Sequence, residues 1–312
     1  MSFGSEPNPR GVTILLSRSL SKERTEEDSS MHESAGGSAA AMADAGFEPW
    51  PDSSVHVSWG PVAAALAAER GDLVVAVDVM LLSTTLSIAA ARDFTCLVYS
   101  RDEIEELGGP ALAAIRLGAR PLLARAQVVP GEPSLSPASL LFAEPGQRVV
   151  VTSLDGAAVV AAAEKAPALL VGGLRNATAC ARTAARLMGT TRAGRVTVVG
   201  VGEGWGSITP GGEGLRPCVE DWIGAGAICA GLAELGYSLS AEARLAAAGL
   251  SSENVLEDLA DCVSARELRS AGYAADIELA LQVDADEKVP VRMSGEQTGR
   301  VFLGVSAAAG EE

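Results

Sequence analysis

The strongest constraint on this chain is an alternation of short apolar runs with helix-length segments between residues 55 and 235. The runs at 55–59, 73–79, 95–99, 148–152, 168–172 and 195–200 have the length and the Val/Leu/Ala character of strands. The run at 73–79 meets no polar side chain before Asp78, as expected of a strand buried on both faces. Helical segments fall between the runs, at 61–70 with Pro61 in the first turn, then at 84–92, 101–107, 110–117, 157–165, 177–188 and 219–235. Strands separated by helices predict a three-layer α/β/α fold with a largely parallel sheet. Segments 252–263, 265–271 and 274–281 read as helices, so the C-terminal part is expected to be mostly helical.

Residues 1–50 are rich in Ser, Gly, Ala and Glu without apolar periodicity, which predicts a disordered leader. The catalytic region is expected over 55–304, with a frayed tail at 305–312. Segment 125–145, rich in Pro and Ser, reads as a long loop, and loops of that length in compact enzymes are usually functional.

Several classes of function are disfavoured. No charge-free apolar run reaches the ~18 residues of a membrane span, and with no basic segment leading into an apolar one at the start, no signal peptide is expected. A cytoplasmic protein without a membrane partner is expected. The net charge is −16, which repels nucleic acid. The five cysteines include no C-x-x-C pair, so reduced core thiols are expected. With only His32 and His56, a histidine-rich metal site is excluded. The chemistry must rest on carboxylates, hydroxyls, arginines and an oxygen-liganded metal, for which Mg²⁺ is best suited.

In open α/β sheets ligands bind beyond the carboxyl ends of the strands, and the candidate residues stand there. Asp78 ends the most apolar run, where an unpaired carboxylate is costly, and Ser83, Thr84 and Thr85 follow at a helix start. Either they bind a metal and a phosphate, or Asp78 is a turn acid and a hydroxyl caps the helix. Ser153, Asp155 and Gly156 repeat the junction, although Asp-Gly is also an ordinary turn. Asn176 either caps the next helix or faces a site, and Arg175 beside it either faces the pocket or lies on the surface. The glycine-rich stretch 200–214 lacks the Lys-Ser/Thr ending of a P-loop. Beyond it, Glu220-Asp221 open a helix of small residues. The helix dipole accounts for ~1 kcal/mol or less of that preference, and a metal or acid/base role is the alternative.

In order along the chain, Val77-Asp78-Val79-Met80-Leu81-Leu82-Ser83-Thr84-Thr85, Ser134-Leu135-Ser136-Pro137, Thr152-Ser153-Leu154-Asp155-Gly156, Val171-Gly172-Gly173-Leu174-Arg175-Asn176-Ala177, Glu220-Asp221-Trp222-Ile223-Gly224-Ala225-Gly226-Ala227-Ile228 and Gly272–Ala280 resemble the motifs of the 2-phosphosulfolactate phosphatase family. The resemblance covers about residues 55–293. It implies a Mg²⁺-dependent phosphatase acting on a small phosphorylated (sulfo)carboxylic acid, with homodimer formation left open. It assigns Asp78, Glu220 and Asp221 to metal and catalysis, and Ser83, Thr84, Arg125, Ser153, Asp155, Gly156 and Asn176 to substrate. Leu81 stands where the family has an arginine, and Leu135 and Asp155 stand where it has asparagines. Arg125, Arg175 or Arg216 are the candidates to replace the missing charge. Two other readings stay open: a non-catalytic binding protein on the same scaffold, and an enzyme acting on another small organophosphate.

Overall fold

The computed structural model describes residues 53–127, 129, 131–191, 193–293 and 300–307. The leader at 1–50 and positions 308–312 of the tail lie outside them. The strands are β1 (Val55–Trp59), β2 (Leu73–Val77), β3 (Thr95–Tyr99), the two-residue β4 (Arg120–Pro121), β5 (Arg148–Thr152), β6 (Ala168–Gly172) and β7 (Val196–Gly200). A small hairpin follows, β8 (Glu203–Gly204) with β9 (Leu215–Arg216), and the chain ends on β10 (Lys288–Met293) and β11 (Val301–Ser306). The helices are α1 (Gly60–Glu69), α2 (Thr84–Ala91), α3 (Arg101–Glu106), α4 (Pro110–Leu117), α5 (Pro137–Leu140), α6 (Asp155–Ala162), α7 (Ala177–Thr191), α8 (Val219–Glu234), α9 (Ala241–Gly249), α10 (Val255–Ala260), α11 (Val263–Ser270) and α12 (Ala274–Ala280).

Nine strands form one mostly parallel sheet in the order β1-β7-β2-β6-β10-β11-β3-β5-β4. The strands at its centre read as predicted. β2, β6 and β7 are buried along their whole length because their side chains alternate between two cores. Leu73, Val75 and Val77 of β2 join one core with residues of α7, α8 and α9. Val74 and Ala76 point the other way, among residues of α1, α2 and α6. This alternation makes the three layers.

Two strands that the amino-acid pattern does not announce enter the middle of the sheet. β10 pairs antiparallel with β6, and β11 pairs antiparallel with β10. β11 changes partner along its length: Val301 and Phe302 pair with β3, and Leu303–Ser306 pair with β10. The helical reading of the C-terminal part therefore holds up to Ala280, and a central hairpin follows. The described residues of segment 125–145 carry a 3₁₀ turn (Arg125–Gln127), α5 and an isolated bridge from Ser134 to Leu123. Among the described residues no helix is long and apolar enough to cross a membrane.

Candidate active site

The site begins where β2 stops. Val79–Ser83 forms a π-helical turn, closed by the Ser83 N–H donating to the Asp78 carbonyl at 2.8 Å. Such turns recur at functional sites. The Asp78 side chain caps this one, Oδ1 accepting from the Leu81 N–H at 3.2 Å. Ser83 Oγ accepts from the Asp78 N–H at 2.8 Å and donates to the Gly172 carbonyl at 2.5 Å, binding the end of β2 to the end of β6. Thr84 Oγ1 donates to the Val79 carbonyl at 2.6 Å.

The start of α8 closes on the same point. Asp221 Oδ1 accepts from the Val79 N–H at 2.8 Å, and Oδ2 accepts from the Gly202 N–H at 2.9 Å. Asp221 thus joins the turns after β2 and β7 to the first turn of α8. Trp222 stacks on Trp59 at the end of β1, ring centroids 6.1 Å apart, and this fixes the helix entry. Glu220, 3 % exposed, lies beside Asp221 and faces the Cys262 thiol.

Asp78, Glu220 and Asp221 line a cavity of about 330 Å³ with Arg125, Ser153 and Asp155. Desolvation, then the charges of Glu220 and Asp155, push Asp78 up to about 6, against the N–H groups of Leu82 and Leu81. Burial, then the Asp78 and Glu220 charges, hold Asp221 well above the usual carboxylate range. Burial, then Glu203, raises Asp155, although the Gly204 N–H reaches its Oδ1 at 3.3 Å.

Arg125 enters from the 3₁₀ turn. Its Nη2 donates to the Met80 carbonyl at 3.3 Å, its Nε lies 3.4 Å from Asp276 Oδ2, and its guanidinium sits 5.6 Å from the Tyr273 ring centroid. Asp276 is buried and accepts from Ser136 Oγ at 2.6 Å and from the Ala138 N–H at 3.2 Å. The long loop and α12 therefore position this arginine together. Asp276 stood in a motif but was not singled out from sequence, because its partners lie far away in the chain.

The other expected residues hold the scaffold. Ser83, Thr84, Gly156 and Asn176 are not among the cavity's lining. Asn176 Oδ1 accepts from the Gly173 N–H at 3.0 Å, and its amide donates to the Val171 carbonyl at 3.4 Å. At Gly156 a Cβ would stand 2.7 Å from Ser153 Oγ and 2.8 Å from Leu82. Arg175 is turned onto Asp286, with Nε to Oδ2 at 2.8 Å, and Arg216 pairs with Glu203. Sequence reasoning missed two acids in the lining, Glu203 and Glu267. Glu203 follows the end of β7 and carried the same strand-end signal as Asp78. Glu267 lies within amphipathic α11 and carried none. Cys218 also lines the cavity, but burial raises its thiol, contrary to what a nucleophile needs.

The Asp78 shift predicts a pH response. The unfolded chain loses this proton near 3.8 and the native state near 6, so between these values the native state binds more protons. Its contribution to stability therefore falls as pH rises through that window. Asp78→Asn in EDTA is expected to flatten the fall in melting temperature between pH 4 and pH 7. The wild-type slope persisting in the variant would contradict this.

A mostly parallel α/β sheet with a carboxylate-lined cavity at its strand ends, and an arginine in the cavity wall, has the arrangement in which open α/β proteins take up ligands. A family model, 2-phosphosulpholactate phosphatase, matches residues 62–295. The chain belongs to that family, whose name denotes a phosphatase acting on a small phosphorylated substrate. No individual curated protein matches the chain.

Proposed function

We propose that this chain is a Mg²⁺-dependent phosphoric monoester hydrolase that converts a small organic phosphate and water to the alcohol and inorganic phosphate. The supporting observation is the convergence of Asp78, Glu220 and Asp221 at the ends of β2 and β7, in a cavity that also receives Arg125. Among the described residues no three His, Cys, Asp or Glu side chains form a ready-made metal cluster. Mg²⁺ does not require one, since it keeps several waters and takes one or two carboxylates plus substrate oxygens. The donors here are hard carboxylate oxygens. The raised pKa of Asp78 comes first from burial and then from the Glu220 and Asp155 charges, and a bound cation would offset both.

Asp78 and Glu220 are the residues to hold the ion. Asp221, with both oxygens on backbone N–H groups, keeps the turns around it in place. A bound Mg²⁺ supplies charge neutralisation at the phosphoryl oxygens and lowers the pKa of bound water. Arg125 orients the phosphoryl group. Water forms a new P–O bond as the ester P–O bond breaks, and the proton it loses passes from the phosphate product to solvent. Asp155 retains a proton more readily than an ordinary aspartate, which suits it to donate that proton to the departing alkoxide.

Millimolar Mg²⁺ is expected to raise the melting temperature relative to EDTA. The gain is about 2.7 kcal/mol when the ion stands at a hundredfold its Kd. Phosphate release from small phosphomonoesters should require the ion. Identical melting in Mg²⁺ and EDTA, together with Mg²⁺-independent release or none, would refute the proposal.

A further inference from the structure

The cavity has walls of two kinds. One is acidic, and the other is built from Met80, Leu81, Leu154, Leu268, Ala271 and Tyr273. Leu154, at the start of α6, is 66 % exposed. Leu81 lies in the π turn beside Asp78. Apolar side chains thus stand within a few residues of the groups proposed to hold the phosphoryl end.

Positive charge is scarce. Among the described residues Arg125 is the one arginine or lysine in the lining, and Asp276 already offsets it. Arg175 and Arg216 are held by Asp286 and Glu203, and withdrawing either would leave a partly desolvated carboxylate without its partner. One divalent cation and Arg125 can match one phosphoryl group. A second anion on the same ligand would meet Asp155 and Glu267, and the nearby Arg216 is already taken by Glu203. Asp155 also lines a neighbouring cavity of about 430 Å³ walled by Trp59, Val62, Val201 and Leu215, where apolar character continues.

Resting on the phosphatase reading, we propose that the substrate is a phosphomonoester whose organic body is apolar and carries no second anionic group. The body packs on Leu81, Leu154 and Leu268, while the phosphoryl end takes the cation and Arg125. Leu81 and Leu154 are then the specificity-determining residues.

The test compares two non-hydrolysable probes that differ in the body, benzylphosphonate and phosphonoacetate, by calorimetry on the full chain in millimolar Mg²⁺. Benzylphosphonate is expected to bind at least about tenfold more tightly. Leu154→Arg, at an exposed position that tolerates charge, should narrow the ratio about tenfold by favouring phosphonoacetate, since a charge-assisted bond is worth about that factor or more. Leu81→Arg should do the same. Phosphonoacetate binding as tightly as benzylphosphonate to the wild type, or neither probe binding at millimolar concentration, would overturn the inference. Phosphate release from benzyl phosphate separates the two readings. The expected ranking without any release would sink the phosphatase reading and keep the ligand class. Release with preference for a phosphorylated acid would sink the ligand class alone.

Discussion

Asp78→Asn is expected to lower Mg²⁺-dependent phosphate release by about 10³-fold while leaving the protein folded. A metal ion acting on a phosphoryl group supplies several kcal/mol of transition-state stabilisation, and each 1.36 kcal/mol is about tenfold in rate. The substitution is nearly isosteric, and an asparagine oxygen can still accept from the Leu81 N–H at 3.2 Å, so the π turn keeps its cap. Only the charge is removed. Because Asp78 is buried among like charges, the metal-free variant should melt at the same temperature as the wild type or higher at pH 7. That combination separates a site residue from a structural one. Near-wild-type turnover would show that Asp78 only caps the turn. Loss of turnover with a large fall in melting temperature would point to structure.

The second large effect is on stability. Gly226→Ala is expected to lower the unfolding free energy by roughly 3 kcal/mol, near the upper end for overpacking. Thermal melting should read this as a fall on the order of 10 °C. A Cβ at Gly226 would stand 2.1 Å from the carbonyl oxygen of Ala246 and 2.5 Å from its carbon, so α8 meets the backbone of α9 directly. No rotamer change can relieve that contact. α9 cannot simply retreat, because Ser240 caps it, accepting from the Ala243 N–H at 3.2 Å, while its own N–H donates to the Val55 carbonyl of β1 at 2.9 Å. Gly189→Ala is the control: the position is exposed in α7, and an added methyl would meet nothing within 4 Å, so the change should be neutral or slightly stabilising. Equal melting of Gly226→Ala and wild type would mean that α8 and α9 do not approach this closely in solution.

The amino-acid sequence by itself determined the layered core. Unbroken apolar runs such as 168–172 have no face to offer water, so they become central strands, and their neighbours of helical length must cover them. It also marked Asp78, Glu220 and Asp221, because carboxylates next to such strands and at a helix start are costly without a partner. The tertiary structure alone decided matters that depend on distant partners. Segment 288–293 contains Lys288, Pro290 and Arg292, a composition expected at an edge rather than the middle of a sheet. It enters the centre because buried Arg292 finds the carbonyls of Ala163 and Glu164 at 3.0 Å, acceptors at the end of α6 that no local pattern reveals. Likewise Ser83 spends its hydroxyl on Gly172, and Arg175 spends its charge on Asp286. Which polar groups remain for a substrate is settled only when the scaffold's own donors and acceptors have been paired, because a buried polar group without a partner costs more than most local preferences are worth.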